Sequence, residues 1–237
     1  MTSSPLYMTS PPLYAFDAYG TLFDVHSAVA RHRALVGPKA DMLSEIWRAK
    51  QLEYSWVRSL MGAYRDFMAL TEEALDHAAL RCGGISGEAR TKLLSAYATL
   101  EAFPDVVPTL GALKARGARL VILSNGSPAM LESAVRSAGL ADLLDPSISV
   151  EEAGVFKTDS RVYALVSARY GLGPQDVFFQ SSNRWDIAGA VKFGFCANWI
   201  NRAGAADEYA EFRPATVLNG LAGLLDLQAG RNLEPSS

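Results

Sequence analysis

Asp17 directly follows the short apolar run 13–16, a pattern typical of a buried strand that ends at a carboxylate. Aspartate is a poor strand former, so its position there needs an explanation other than backbone propensity. Taken alone, an aspartate in such a place is more often part of a turn or a helix cap than a catalytic group. The catalytic alternative gains weight only if other reactive side chains are predicted at the same edge of a sheet.

Polar groups of this kind follow three later segments of the chain. They are a hydroxyl and an amide, then a lysine, then a second hydroxyl–amide pair with a carboxylate one helical turn on: Ser124, Asn125, Lys157, Ser181, Asn183 and Asp186. Ligands of an open parallel sheet bind at the carboxyl ends of its strands, so we expect these groups to converge with Asp17. Structural alternatives stay open, because Ser124 and Asn125 also fit a strand–helix turn and Asp186 also fits a helix brace.

The elements around these residues predict an α/β fold, a doubly wound parallel sheet with an inserted helical cap. From residue 105 onwards, predicted strands alternate with helices, which is typical of a parallel sheet. The apolar stripe at 43–68 predicts one long amphipathic helix or two abutting helices, and Thr71 is predicted to be the N-cap of the next helix. The expected division is a loose extension over 1–12, a core of 13–25 and 101–237, and a cap of 26–100.

Composition excludes several classes of protein and of site. Apolar residues make up 49% and charged residues 20%, with a formal net charge of −3, which argues against a disordered chain and against nucleic acid or membrane partners. No apolar run approaches a membrane span, and the first twelve residues do not resemble a signal peptide. Two distant cysteines and three histidines outside any metal-binding pattern predict no disulfide, no metal site and a cytoplasmic location.

Four segments resemble, in order, the motifs of the haloacid dehalogenase superfamily. They are residues 16–24 (FDAYGTLFD), 123–126 (LSNG), 156–157 (FK) and 177–186 (VFFQSSNRWD). Residues 52–61 (LEYSWVRSLM) resemble the cap of the L-2-haloacid dehalogenases in particular. The resemblance covers residues 14–202, and it implies a Rossmann-like core and hydrolysis of a carbon–halogen bond.

Two positions distinguish the branches of this superfamily. Its phosphatases carry a second aspartate two residues after the nucleophile, as the general acid for the leaving oxygen, whereas this chain has Tyr19. A leaving halide needs no proton, but phosphate-ester hydrolysis does. The fourth motif offers one carboxylate, Asp186, which is a thin ligand set for Mg²⁺. The resemblance therefore implies a dehalogenase without cofactors, and a Mg²⁺-dependent phosphatase and a non-catalytic binder with the same fold are the alternatives.

The resemblance also implies a role for each matching residue. Ionised Asp17 would attack C2 of a small L-2-haloacid, release halide ion and form an aspartyl ester, which water hydrolyses to a D-2-hydroxy acid. Lys157 would keep Asp17 ionised. The other implied catalytic residues are Arg48, which with Asn125 stabilises the halide, Thr21 and Tyr163, which orient Asp17 and Lys157, and Ser181, Asn183 and Asp186, which position Lys157 and the hydrolytic water.

The substrate contacts are implied by the same match. Ser124 and backbone N–H groups would hold the carboxylate, and the apolar wall would consist of Tyr19, Leu52, Phe67 and Trp185. Ala49, Thr158 and Arg184 depart from the family pattern, which leaves halide and chain-length preference open. Without the resemblance, Arg48 fits a solvated arginine whose stem covers apolar surface. The family also implies a homodimer packed through cap helices.

Overall fold

The computed structural model describes residues 11–231, with side chains as far as residue 227, so the predicted extension over 1–12 lies almost wholly outside the described residues. Within 11–231, no helix is both long and apolar enough to cross a membrane. The elements of the first half are β1 (Leu13–Phe16), α1 (Ser27–Arg31), α2 (Arg33–Val36), α3 (Ala40–Met61), α4 (Phe67–Cys82) and α5 (Gly87–Tyr97). Those of the second half are α6 (Val106–Ala115), β2 (Arg119–Ser124), α7 (Pro128–Ser137), β3 (Ile148–Ser149), α8 (Ser160–Tyr170), β4 (Val177–Ser181), α9 (Arg184–Phe193), β5 (Cys196–Ile200), β6 (Thr216–Leu218) and α10 (Leu224–Arg231).

Six strands form one sheet in the order β3-β2-β1-β4-β5-β6, and every neighbouring pair is parallel. β1 lies inside the sheet, where Phe16 pairs with Ile122 of β2 and Gln180 of β4. The chain order reverses direction between β1 and β4, and ligands of such sheets bind in the crevice at this switch point. The predicted doubly wound α/β fold is confirmed, and Asp17 follows the strand at its switch point.

The central strands are buried because apolar side chains point to both of their faces. Tyr163 of α8 stands edge-on to Phe179 of β4 and to Phe195, which packs this helix against the sheet. The Lys157 ammonium lies 5.0 Å from the centre of the Phe179 ring. Lys157, a predicted catalytic residue, therefore packs against this aromatic cluster.

Six helices, α1 to α6, lie between β1 and β2 in the chain, and the predicted apolar stripe at 43–68 is divided between α3 and α4. α3 ends at Gly62, which adopts a left-handed conformation with φ of 64°. α4 begins after Asp66, whose carboxylate accepts a hydrogen bond from the Ala69 N–H at 2.9 Å. The break thus has a glycine on one side and an aspartate cap on the other.

The prediction of Thr71 as an N-cap is wrong, because Thr71 lies inside α4. Its hydroxyl donates to the Phe67 carbonyl at 2.8 Å and accepts from the Gln51 amide at 2.9 Å. A threonine hydroxyl can bond the carbonyl four residues earlier in a helix, so it fits an interior position as well as a cap. At this site the residue joins α4 to α3.

Candidate active site

The carboxylate of Asp17 is held by donors from three separate segments of the chain. Lys157 Nζ donates to Oδ1 at 3.0 Å, while Asn183 Nδ2 and Thr21 Oγ1 donate to Oδ2 at 2.7 and 3.0 Å. The Asp17 backbone N–H donates to the Gln180 carbonyl at 2.9 Å, which continues the pairing of β1 with β4. Asp17 is 5% exposed. The sheet edge therefore fixes this carboxylate in one orientation at the end of β1.

Lys157 is completely buried and bridges two carboxylates. Its Nζ lies 3.0 Å from Asp17 Oδ1 and 2.7 Å from Asp186 Oδ2. Burial by itself lowers the pKa of Lys157, but the charges of Asp17 and Asp186 and their hydrogen bonds outweigh it and raise that pKa above its ordinary value. Lys157 therefore stays a cation. Its backbone N–H donates to Asn125 Oδ1 at 3.1 Å, and the Lys157–Thr158 peptide bond is cis.

Asp186 is the second partner of that lysine, and Tyr163 holds its other oxygen. The Tyr163 hydroxyl donates to Asp186 Oδ1 at 2.8 Å and also lies 3.2 Å from the Asp186 carbonyl. Burial raises the pKa of Asp186 to about 6, with Lys157 opposing the shift and Asp17 adding to it. Gly189 permits this approach, since a Cβ there would lie 2.5 Å from the Tyr163 hydroxyl.

Three hydroxyls at the strand ends bond to backbone N–H groups of the adjoining turns. Ser124 Oγ accepts from Gly126 N at 3.1 Å, Ser181 Oγ accepts from Asn183 N at 3.1 Å, and Thr21 Oγ1 accepts from Ser182 N at 2.8 Å. Thr21 alone of these hydroxyls also donates to Asp17. For Ser124 and Ser181, the hydrogen bonds agree with the turn-forming alternative and leave their catalytic roles as predictions.

Arg48 reaches the sheet edge from α3. Its NH2 group donates to the Tyr19 carbonyl at 3.1 Å and lies 3.5 Å from Asn183 Oδ1. The Tyr19 ring is buried between Phe67, at 5.9 Å between ring centres, and Tyr97, at 5.7 Å. Burial raises the pKa of the Tyr19 hydroxyl well above its ordinary value, so that hydroxyl stays neutral. The structure thus brings the Arg48 guanidinium and the packed rings of Tyr19 and Phe67 to the helix side of the candidate site.

The remaining predicted residues are not among the groups that hold the Asp17 carboxylate within the described part of the chain. Leu52 is half-buried on α3, and Phe67 reaches the site through its contact with Tyr19. Trp185 stands edge-on to Trp56 of α3 at 5.5 Å and lines a cavity that Lys157 also lines. Leu52 follows Arg48 by one helical turn, Phe67 contacts Tyr19 and Trp185 shares a cavity with Lys157; the substrate contacts of all three stay predictions.

Sequence reasoning missed three residues that connect the helices to the site. Tyr97 stacks on Tyr19, and its hydroxyl donates to Gln51 Oε1 at 3.2 Å. Ser59 Oγ accepts from the Phe156 N–H at 3.1 Å, which ties α3 to the segment that carries the lysine. Tyr97 is a buried tyrosine at the end of α5, and nothing in the sequence distinguishes such a residue from ordinary core.

The acidic residues of the site do not form a set suited to Mg²⁺. Within residues 11–227, no three histidine, cysteine, aspartate or glutamate side chains come together as metal ligands. Mg²⁺ prefers oxygen ligands in octahedral geometry, whereas the two carboxylates here share the Lys157 ammonium between them. A cation between Asp17 and Asp186 would have to displace that ammonium.

Comparisons with known proteins agree with this geometry. The family model described as haloacid dehalogenase-like hydrolase matches residues 12–194. (S)-2-haloacid dehalogenase 1 of Pseudomonas sp. (strain CBS-3) is 50% identical over 82% of this chain and 86% of its own length, and (S)-2-haloacid dehalogenase 4A of Burkholderia cepacia is 46% identical over 90% and 93%. The solved L-2-haloacid dehalogenase of Xanthobacter autotrophicus with covalently bound chloropropionic acid has a TM-score of 0.84 at 34% identity, over 93% of this chain and 99% of that one.

Proposed function

The chain belongs to the haloacid dehalogenase-like hydrolases, and on that basis we propose that it hydrolyses small L-2-haloacids to D-2-hydroxy acids and halide ion. The observation that carries this function is the buried Asp17 carboxylate, held by Lys157, Thr21 and Asn183 at the switch point of the sheet. Several relatives that are 40–50% identical over most of the chain carry the name (S)-2-haloacid dehalogenase. The enzyme is thus a hydrolase of carbon–halide bonds.

The first step is displacement of halide by Asp17. A carboxylate oxygen attacks C2 from the side opposite the halogen, the new C–O bond forms as the carbon–halogen bond breaks, and halide leaves with the electron pair. Because Lys157, Thr21 and Asn183 already fix the carboxylate, little reorganisation precedes attack. Arg48 reaches the site from α3, and we assign to it, with Asn125, the stabilisation of the negative charge that develops on the leaving halide.

The second step is hydrolysis of the aspartyl ester. Water adds to Cγ of Asp17, the acyl C–O bond breaks, and the departing alkoxide takes one proton of the water. The other proton is released to solvent, and Asp17 returns to its carboxylate form. We assign to Lys157 the stabilisation of the negative charge that develops on the Asp17 carbonyl oxygen. Asp186 holds Lys157, and Tyr163 in turn holds Asp186. Ser181 and Asn183 close the turn beside it, and we assign them to positioning the water. C2 is not touched in this step.

We assign the substrate contacts to two sets of groups. Ser124 and the backbone N–H groups after β1 bind the carboxylate, because Ser124 lies at the end of the strand next to β1. Tyr19, Leu52, Phe67 and Trp185 form the apolar wall, supported by the packing of Tyr19 and Phe67 beside the carboxylate.

The helices between β1 and β2 suggest how the enzyme is organised. We propose that residues 26–100 act as a cap on a core made of 13–25 and 101–237, and that two copies pack through cap helices. The support for a homodimer is an exposed apolar face near the end of α3, where Leu60 is 89% and Met61 63% exposed. Light scattering of Met61→Lys tests it, with dissociation expected.

A chain with two cysteines suits the cytoplasm, where we place the enzyme.

A halide-release panel tests the proposed function. The panel contains chloroacetate, both enantiomers of 2-chloropropionate, and a generic phosphate ester. Asp17 inverts C2 once and the second step leaves that carbon alone, so the L enantiomer gives D-lactate. In the D enantiomer, the hydrogen and the methyl group exchange places and the methyl strikes the apolar wall, so turnover is negligible. L-lactate from the L enantiomer, or hydrolysis of the phosphate ester in its place, would contradict the proposed reaction.

A further inference from the structure

Three buried polar side chains form a row across the helices beside the candidate site: Gln51 of α3, Thr71 of α4 and Tyr97 of α5. We name them the polar row. The Thr71 hydroxyl donates to the Phe67 carbonyl at 2.8 Å, and the Gln51 amide donates to Thr71 Oγ1 at 2.9 Å. The Tyr97 hydroxyl donates to Gln51 Oε1 at 3.2 Å. The reaction assigned above uses none of the three residues of the polar row.

Each hydrogen bond of the polar row fixes the direction of the next one. The Thr71 proton is taken by the Phe67 carbonyl, so the Thr71 oxygen is left to accept from the Gln51 NH2 group. The amide oxygen of Gln51 is therefore turned towards Tyr97 and accepts its proton. The lone pairs of the Tyr97 hydroxyl are left to accept from a further donor, and an arginine suits that place because it only donates.

Arg48 is the donor beside the Tyr97 hydroxyl. Arg48 and Gln51 are three residues apart on α3, so they lie on the same face of that helix. The NH2 group of Arg48 donates to the Tyr19 carbonyl at 3.1 Å, and the Tyr19 ring stacks on Tyr97 with 15° between the two planes. Burial raises the pKa of Tyr97, while the charge of Arg48 and side-chain hydrogen bonds with Gln51 and Arg48 oppose that rise. A neutral hydroxyl of fixed orientation therefore lies next to the guanidinium.

We propose that Tyr97 is a positioning residue that holds Arg48 in place for the leaving halide, and that Gln51 and Thr71 fix the orientation of its hydroxyl. This inference rests on the proposed dehalogenase function and on the halide role assigned to Arg48. An arginine side chain has many rotamers, so a fixed acceptor lowers the entropy cost of presenting its guanidinium at one point. The effect of Tyr97 is confined to the step in which the carbon–halogen bond breaks, because the halide charge develops there.

A double-mutant cycle of Tyr97→Phe and Arg48→Ala tests this role. Halide release is followed in a single turnover with excess enzyme, so that only the first step is measured. Tyr97→Phe keeps the ring that stacks on Tyr19 and removes the hydroxyl, so halide release from L-2-chloropropionate is expected to slow about tenfold. In the Arg48→Ala background, Tyr97→Phe is expected to slow release less than about twofold, because the group that Tyr97 positions is gone.

The leaving group provides a second readout, which a general loss of stability does not move. Chloride is a poorer leaving group than bromide, so its departure depends more on a correctly placed cation. Tyr97→Phe is therefore expected to raise the ratio of the release rate from 2-bromopropionate to that from 2-chloropropionate about threefold. Gln51→Met leaves the Tyr97 hydroxyl in place but free to rotate, so the expected rise is smaller, below about twofold.

Tyr170→Phe is the matched control. It removes a tyrosine hydroxyl that donates to Asp145 at 3.0 Å, and Asp145 pairs with Arg119 at the start of β2, the strand end opposite to Ser124. This variant loses one side-chain hydrogen bond, as Tyr97→Phe does, but none that involves Arg48. Both release rates are expected to change less than about twofold, with an unchanged ratio.

Three results would overturn the inference while leaving the proposed function intact. The first is an equal loss from Tyr97→Phe with and without Arg48, since the hydroxyl would then act independently of that arginine. The second is an unchanged release rate or an unchanged bromide-to-chloride ratio in Tyr97→Phe. The third is normal halide release by Arg48→Ala. No halide from any 2-haloacid with the unaltered enzyme would overturn both the inference and the proposed function.

Discussion

Two parts of the site are held together in different ways: the sheet edge, meaning the carboxyl ends of the strands with Asp17, Lys157 and Asp186, and the helix side, meaning Arg48 and the residues packed around it. At the sheet edge, Asp17, Lys157 and Asp186 are nearly inaccessible to solvent and are joined by charge-assisted contacts of 2.7 and 3.0 Å. On the helix side, Arg48 contacts a backbone carbonyl at 3.1 Å and Asn183 at 3.5 Å. The nucleophile is therefore fixed before substrate arrives, whereas the group assigned to the halide reaches across the boundary between α3 and the sheet.

This difference separates two kinds of contribution to the rate. A buried charge that loses its partner pays a large desolvation cost, so changes at the sheet edge affect both the chemistry and the ionisation of the site. The helix side contributes one cation and aromatic packing through Tyr19, Phe67 and Tyr97. Changes there are expected to weaken catalysis without removing the nucleophile.

The largest effect is expected from Asp17→Asn. An amide of the same shape is not a nucleophile, so halide release falls to background. Lys157 also loses one of its two carboxylate partners, so the thermal midpoint falls, while the circular dichroism spectrum stays that of the folded enzyme. Asp24→Asn is the matched control, because Asp24 lies in the same turn and accepts a hydrogen bond from the His26 N–H. That variant is expected to keep its activity within about threefold. Substantial turnover by Asp17→Asn would show that Asp17 is not the nucleophile.

The next largest effect is expected from Arg48→Ala. One donor aimed at developing charge in a closed site is worth about 10²–10³ in rate, so kcat for 2-chloropropionate should fall by that factor. Arg58→Ala is the control on the same helix, because Arg58 pairs with the exposed Glu73 at 3.2 Å. A loss below about threefold in Arg48→Ala would return this arginine to the solvated-surface interpretation.

A smaller effect is expected from pH, through Asp186. Burial raises the pKa of Asp186 to about 6, so this carboxyl gains a proton as the pH falls through 6 and no longer holds Lys157 by charge. We expect kcat/KM to fall about tenfold between pH 7 and pH 5. In Asp186→Asn, we expect the plot of kcat/KM against pH to have a lower maximum and no decrease between pH 7 and pH 5. An identical limb in the variant would assign the titration to another group.

The smallest effect is expected from removal of metal ions. The Lys157 ammonium already neutralises charge between Asp17 and Asp186, so exhaustive chelation should change halide release by less than about twofold. Loss of activity with EDTA and recovery with Mg²⁺ would show that the site works as a phosphatase-like metal centre.

The sequence could predict the sheet edge because local patterns determine it. Parallel strands place their carboxyl ends together, so Asp17 and Lys157 were expected to meet although 140 residues separate them. The same pattern included Asp186 and the family motifs added Thr21; the structure places Asp186 against Lys157 and Thr21 against Asp17. Their catalytic roles stay predictions.

The sequence could not predict contacts that depend on tertiary packing. Thr71 carries the chemistry of a cap, yet Asp66 caps α4 and Thr71 joins Gln51 instead. Arg184 looks like a surface charge until Asp207 and the segment after β5 fold over it. No periodicity encodes such pairs, because their partners are set by how helices and loops pack on the sheet.

A single turnover in ¹⁸O-labelled water tests the central claim most directly. Excess enzyme is mixed with L-2-chloropropionate, and both the lactate and the protein are analysed by mass spectrometry. If Asp17 forms the ester and water attacks its carbonyl, the new oxygen of the first lactate is unlabelled and comes from Asp17, while the peptide that contains Asp17 gains ¹⁸O. Labelled lactate from that first turnover, with no label in the protein, would mean direct attack of water on C2 and would contradict the account.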